Sequence, residues 1–361
     1  MKTLGIIAEY NPFHCGHYSH LTQSKTALGA DAVVVVMSGN FVQRGEPALC
    51  DKWSRAKMAL LGGADLVIEL PLCIATSSAG YFAQGAVNIL EKTGIVNCMC
   101  FGSESADITP LQQCAEALLL EDDAFKTRLK KYLDMGLSYP SARAKAADIN
   151  LPDTPNNVLG VEYIKALLQL KSKIVPYTVP RAEGSAKQVR DAIKSGNLNY
   201  AKEHVPPFTW DILQDCRLTY LDNFSPIFHY ILHTHTNLQS ILDVSEGLEN
   251  LLRKCAKNYY LISDIIASAK TKRYTYLRIQ RVVLHMILGI TKIKEPEYIR
   301  VLGFKKERAD LLKELETNAK LPVVLNIKNA NFAMLDEEIC ATKVYGIPSY
   351  INEYAMPVIK I

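Results

Sequence analysis

No apolar run in this sequence reaches the roughly 20 residues that a membrane span needs. "AVVVVM" and "LVIELPL" are each broken within a few residues by Gly, Arg or Lys. A cleavable leader is also missing from the pattern. "MKTLGIIAEYNPF" carries one Lys and a short apolar run, then a Glu and no small-residue cleavage site, so it predicts a first β-strand and a cytoplasmic protein. No internal repeat or low-complexity tract stands out. Cysteine is plentiful, with nine scattered along the chain, but paired cysteine is scarce. Only Cys98 and Cys100 stand close, as C-x-C inside an apolar run, and no second ligand pair has suitable spacing. Reduced, buried thiols are expected, with no metal.

Of the 361 residues, 48% are hydrophobic and 22% charged, enough to bury at least one full core, and two domains are expected at this length. The formal net charge is +4, but it is unevenly placed. Residues 251 to 310 hold fourteen Lys or Arg against five Asp or Glu, a net of +9, which leaves −5 on the other 301. A strongly basic segment on a mildly acidic remainder predicts a polyanionic partner.

Five β-branched or apolar runs read as strands: "TLGIIAEY" (3–10), "DAVVVVMSG" (31–39), "DLVIELPL" (65–72), "VNCMCFGSE" (96–104) and "KIVPYTV" (173–179). Between them, "HYSHLTQSKTAL", "DKWSRAKMALLG", "AGYFAQGAVNILEKTG" and "NNVLGVEYIKALLQL" repeat apolar residues at helical spacing. Continuous apolar strands alternating with helices predict an α/β fold with a parallel sheet covered on both faces. Residues 107–149 read as a helical insertion. Beyond Pro206 and Pro207 strand signals fade, so the expected domains are 1–205 and a mostly α-helical 206–361. Helices are expected in "LQSILDVSEGLENLLRKCAKNY", "LISDIIASAK", "YLRIQRVVLHMILGI" and "KERADLLKELETNA", and a small extended element in "ICATKVYGIP".

Ligands of such sheets bind beyond the strand carboxyl ends. There stands "EYNPFHCGHYSH" (9–20), with His14, His17 and His20 at a spacing of three. Zinc could use His17 and His20 on one helix face, but no carboxylate or Cys completes a set. Buried, capped polar residues are a second reading. The third is an anion site: a helix opening near Gly16 directs free backbone N–H groups and the positive end of its dipole outward, with imidazoles on either side as donors.

His14-Cys15-Gly16-His17, after strand one and Asn11-Pro12-Phe13, resembles the H-x-G-H signature of the nucleotidyltransferase superfamily. With "VVVVMSGNFVQRGEPALCDKWSRAKMALLGGADLVIELP", "FGSES", "PNNVLGVEYIKAL" and "KTKRYTYLRIQR", nearly the whole chain is similar to the tRNA(Met) cytidine acetate ligase family. The resemblance implies a Rossmann-like nucleotidyltransferase domain that activates acetate with ATP as acetyl-adenylate. It also implies transfer of the acetyl group to N4 of the wobble cytidine of elongator tRNA(Met), with Mg²⁺ accompanying ATP. His14, Gly16 and His17 would be catalytic. The ATP loop would comprise Ile7, Ala8, Glu9, Tyr10, Asn11, Pro12, Phe13, His14, Cys15, Gly16, His17, Tyr18, Ser19 and His20, joined by Gly102, Asn156, Asn157 and Arg181. One of the two asparagines could instead cap the helix that begins there. Glu9 and Glu104 are conceivable Mg²⁺ holders.

Two segments depart from the family pattern. "RAEGSAKQVRDAI" after Arg181 is short, and Ser185-Ala186-Lys187 replaces a Ser/Thr triplet, with Arg190 retained. Gln43, Arg44 and Lys52 could face acetate, phosphates or the tRNA end, and Gly39 and Asn40 suit a turn. In the basic segment, Lys270, Lys272, Arg273, Arg278 and Arg281 are expected to grip phosphates, with Tyr274 and Tyr276 stacking on bases. His229, His233 and His235 read as helix-surface or core residues. No membrane or protein partner is indicated. Two other readings stay open on the residues alone: an adenylyltransferase of cofactor synthesis, and a non-catalytic RNA-binding protein with a degenerate nucleotide fold.

Overall fold

The computed structural model describes the chain except residues 105, 120–122, 138–141, 144, 147–153, 182–183 and 272–273. The five expected strands form: β1 (Thr3–Ala8), β2 (Ala32–Ser38), β5 (Leu66–Leu70), β6 (Cys98–Ser103) and β7 (Val175–Pro180). A short antiparallel hairpin, β3 (Phe41–Val42) and β4 (Glu46–Pro47), lies between β2 and β5. Alternate residues of β2 enter different cores, Val33, Val35 and Met37 one, Ala32, Val34 and Val36 the other, as two covered faces require. Cys98 and Cys100 are buried on one face, and every cysteine among the described residues is free.

Crossovers are made by α1 (Cys15–Leu28) from β1 to β2, α2 (Lys52–Leu61) and the hairpin from β2 to β5, and α3 (Leu72–Ala75) with α4 (Ala79–Thr93) from β5 to β6. From β6 the chain returns to β7 through the helix Pro155–Gln169. Strand order is β5-β2-β1-β6-β7 within the sheet, all parallel. The chain thus winds outward from β1 on one side and then crosses to the other side at β6. That reversal opens a crevice beyond the carboxyl ends of β1 and β6, where open α/β sheets hold ligands.

Beyond Pro206 helices dominate, including Pro207–Asp215, Ser225–Thr234, Leu248–Ala256, Ile262–Ala269 and Tyr276–Leu288. Three expectations are corrected here. Residues Ile299–Phe304 form β8, which pairs antiparallel with β5, and β8 carries β9 (Val323–Val324) and β10 (Ile359–Lys360). "ICATKVYGIP" is not extended but lies within the helix Ala333–Ser349. "LQSILDVSEGLENLLRKCAKNY" is helical only from Leu248 to Ala256 and in a 3-10 turn at Leu238–Ser240, because Gly247 takes a left-handed φ of 78° at the helix start. In the insertion, helices Ile108–Leu119 and Asp123–Asp134 are present as expected, and part of its remainder lies outside the described residues. Among the described residues, no helix is long and apolar enough to cross a membrane.

Candidate active site

The carboxyl end of β1 leads through Tyr10, which has a φ of 49°, and a cis Asn11–Pro12 bond into α1. Tyr10 and Phe13 are core residues, their rings 4.8 Å apart, and they anchor the turn. His14 is the helix N-cap. Its Nδ1 accepts from the Gly16 amide at 3.0 Å, and His17 Nδ1 lies 3.3 Å from the His14 amide. The two imidazoles pack with centroids 3.7 Å apart. This arrangement corrects the expectation of free amides at the helix start. The Cys15 amide donates to the His204 carbonyl at 3.0 Å and the Gly16 amide to His14, so the groups that can face an anion are imidazole edges.

Electrostatics fit that role. Burial foremost, then Arg181, Arg190 and His204, push the His14 pKa down to about 4. Burial also takes His20 to about 4, and burial with the adjoining His14 and His20 holds His17 well below its ordinary value. All three imidazoles are therefore neutral near pH 7, and in His14 the proton belongs on Nε2 because Nδ1 is an acceptor. A neutral Nε2–H donor beside two guanidiniums is a suitable seat for phosphate oxygens.

The loops around this helix start are tied together by arginines. Arg55, fully buried on α2, donates to the carbonyls of Cys50 at 3.0 Å, Glu9 at 2.7 Å and Ser38 at 3.0 Å, and also to that of Gly39. It thereby joins the segments that follow β1 and β2, a role with no motif in "KWSRAK". Arg190 donates to the Asn11 carbonyl at 2.6 Å and pairs with Glu46 at 2.8 Å, fixing the retained arginine to the turn. Glu9 accepts the Gln43 amide at 2.7 Å; burial raises its pKa, and that hydrogen bond opposes the rise.

Across the crevice, the remaining expected nucleotide residues converge at the ends of β6 and β7. Asn157 Oδ1 accepts the Glu104 amide at 3.2 Å, while the Glu104 carboxylate accepts from Asn156 at 3.1 Å and Thr154 at 2.9 Å and lies 3.5 Å from Arg181. Neither asparagine is the cap of its helix; Thr154 occupies that position. Gly102 lies between Arg181 and His20, where a Cβ would be 3.8 Å from both the Arg181 Cα and the His20 ring, an ordinary contact distance. Gly184, at a φ of 111°, lies beside the helix start, where a Cβ on it would be 3.5 Å from His14 Nδ1 and 3.9 Å from the Gly16 nitrogen. Among the described residues no group of three or more His, Cys, Asp or Glu side chains is arranged to hold a metal.

Other expectations are redistributed. Lys52 does not face substrate: it is buried, with Nζ 2.6 Å from Glu69 and 3.0 Å from Glu353. Gly39 is fixed by that same cluster, since a Cβ there would meet Glu69 Oε1 at 2.6 Å. Asn40 bonds Thr342 and the Lys52 amide, and Gln43 bonds the Ser77 carbonyl, whereas Arg44 is exposed near Glu9. In the basic segment Lys270 is exposed, but Lys272 and Arg273 lie outside the described residues. Tyr274 is not an open stacking face. Its ring is buried, its hydroxyl donates to Glu246 at 2.9 Å, and Arg278 covers it at 5.1 Å while bonding Ser245. Arg281 is half-buried, and burial lowers its pKa.

This chain is similar to proteins of described activity. The HIGH Nucleotidyl Transferase family matches residues 1–356. A tRNA(Met) cytidine acetate ligase from Caldanaerobacter subterraneus subsp. tengcongensis is 41% identical, covering 100% of both chains. One from Acetivibrio thermocellus is 40% identical over 96% of this chain and 94% of its own. The crystal structure of Thermotoga maritima TmcAL bound with alpha-thio ATP superposes with a TM-score of 0.93 at 33% identity, covering 100% of both chains.

Proposed function

The chain belongs to the tRNA(Met) cytidine acetate ligase family of HIGH nucleotidyl transferases, and from that premise we propose that it acetylates N4 of the wobble cytidine of elongator tRNA(Met) in two steps on one site. An acetate oxygen attacks the α-phosphorus of ATP, forming acetyl-AMP and releasing pyrophosphate. The cytidine amine then attacks the acetyl carbon, its proton is lost, and AMP leaves. The observation that carries the reading is the His14 ring held by the Gly16 amide on Nδ1, which leaves Nε2 as its free edge, with Arg181 and Arg190 close enough for their charges to help lower its pKa. A donor on that edge stabilises charge that develops on the phosphate oxygens without having to reorganise. His17 orients His14 by closing the reciprocal cap.

Adenosine would rest against Gly102, with Asn156, Asn157 and Arg181 held for it by Glu104. Mg²⁺, when bound with ATP, would neutralise the departing pyrophosphate. The donor set suits an ion carried in on the nucleotide: Glu104 is engaged by three neighbours and Glu9 by the Gln43 amide. The helical half, basic over residues 251–310, would hold the tRNA.

Acetate-dependent exchange of label between pyrophosphate and ATP tests the first step apart from the second. His14→Ala is expected to lower that exchange by at least a hundredfold, as loss of an oxyanion donor does, while tRNA affinity stays within about threefold. Equal loss of both would overturn this division of labour.

A further inference from the structure

The helical half carries exposed rings that the active site does not use. In the helix Ser225–Thr234, His229 and His233 stand one turn apart, their rings 6.4 Å apart and 26° from parallel. His229 also stacks with the Tyr260 ring, at 5.1 Å and 13°. The backbone fixes this contact. His229 Nε2 lies 3.0 Å from the Tyr260 carbonyl, and the Ile262 amide donates to Ser225 Oγ at 3.1 Å, which ties the segment after Tyr260 to the first turn of the histidine helix. The result is a surface column of three near-parallel rings. Tyr260 is 60% exposed, with Tyr230 at 63% and Tyr259 at 44% next to these residues in sequence.

Burial does not account for the column, since its rings remain in contact with water. A single exposed tyrosine is ordinary; an aligned set held by backbone hydrogen bonds is a prepared π-surface. Its electrostatic border is positive. Lys254 and Lys257 are exposed at the end of the helix Leu248–Ala256, immediately before the Tyr259-Tyr260 pair. Of the acids nearby, Asp222 accepts from Ser263 and Glu249 from Gln239 and Asn250, while Asp264, one turn after Tyr260, is exposed and offsets part of the lysine charge. Arg253 is directed to the Leu232 and His235 carbonyls. Aromatic faces bordered by ammonium groups match unpaired nucleobases on a phosphate chain better than an aliphatic protein face. The surface also connects to the active site. Asp222 lies 3.9 Å from Lys194, on the helix whose Arg190 holds the Asn11 turn.

We propose that the Tyr260–His229–His233 column is a base-stacking platform for unpaired nucleotides of the RNA loop that carries the target cytidine. This rests on the reading of the chain as a tRNA-modifying ligase. It replaces Tyr274, whose ring is already covered, as the stacking element of the helical half.

The test compares full-length wild type with Tyr260→Ala, Tyr260→Trp and Lys257→Gln, using an elongator tRNA(Met) transcript titrated at several salt concentrations. Base–aromatic stacking predicts that Tyr260→Ala raises the Kd about ten- to a hundredfold with no change in salt slope, whereas Tyr260→Trp keeps the affinity. Lys257→Gln should weaken binding less and reduce the slope of log Kd against log salt by about 0.7 to 0.9. Acetate-dependent ATP–pyrophosphate exchange should be unchanged in all three variants. The platform is overturned if Tyr260→Ala binds tRNA within twofold of wild type, if it loses exchange in parallel with binding, or if light scattering shows that it changes self-association instead. Absence of exchange in wild type would refute the ligase reading, while the Tyr260→Ala affinity would still decide the platform.

Discussion

Because the His14 ring accepts the Gly16 amide, its proton inventory is tied to folding as well as to nucleotide binding. Its pKa falls from 6.5 in the unfolded chain to about 4, mainly through burial. A group depressed in this way stabilises the fold above pH 6.5, and that stability is lost as pH falls toward 4, since only the unfolded chain takes up the proton in that window. For His14 alone the loss between pH 7 and pH 5 is about 2 kcal/mol. Urea denaturation at the two pH values should show wild type losing more stability than His14→Gln; equal losses would assign the effect to other groups. At this scale the sequence displays H-x-G-H plainly but hides what the ring does. Which nitrogen accepts is set by the Gly16 amide, and the Cys15 amide is taken up by the His204 carbonyl, which lies 190 residues away in the chain from His14. Arg55 is hidden for the same reason: a guanidinium that collects carbonyls from separate loops has no local pattern.

The β3–β4 hairpin links the nucleotide crevice to the helical half. Its Gln43 amide holds Glu9, its Glu46 holds Arg190, and its turn meets the helix Tyr276–Leu288. Gly45 makes that last contact possible. It sits at a φ of 81°, and a Cβ there would lie 2.5 Å from the Arg281 backbone nitrogen and 2.8 Å from the Gln280 carbonyl carbon. Neither backbone atom can yield cheaply. Gly45→Ala combines a left-handed alanine with overpacking and should cost about 2–4 kcal/mol. A urea midpoint matching wild type would show that the hairpin can leave the helix without consequence. Elements built by local periodicity, from β1 through the helix Pro155–Gln169, were readable because each apolar run alternates with an amphipathic one. β8 was not. "IRVLGF" is a six-residue run flanked by charged "EPEY" and "KKER", and its partner β5 precedes it by more than 200 residues. In the helix Ala333–Ser349, Gly346 and Pro348 near the end favour an extended reading, yet Met334, Leu335, Ile339, Ala341 and Tyr345 are buried by tertiary packing.

At the scale of the whole molecule, β8 makes the sheet a joint product of both halves, and a buried ionic cluster fastens the seam. Lys52 contacts Glu69 and Glu353, and Arg300 on β8 contacts the same two carboxylates, at 2.9 Å and 2.5 Å. Glu338 accepts the Leu72 amide; burial first, then Glu69, raises its pKa to about 8, so at neutral pH it adds a hydrogen-bonding carboxyl without a third negative charge. Two cations therefore face two anions. The partners come from α2, β5, β8 and the chain's last residues, so no one segment can leave without stranding charge in the others. Lys52→Met would leave Glu69 and Glu353 with Arg300 alone, at a cost of about 3–5 kcal/mol, the range for breaking a buried pair from one side. If the shared sheet and cluster make the halves one cooperative unit, heating should show a single transition, shifted down in the variant and reported alike by calorimetry and by a fluorophore on the helical half. Two separated transitions in wild type would mean that the halves unfold independently, and a downshift of the N-terminal transition alone in Lys52→Met would mean that the cluster serves only α2 and β5.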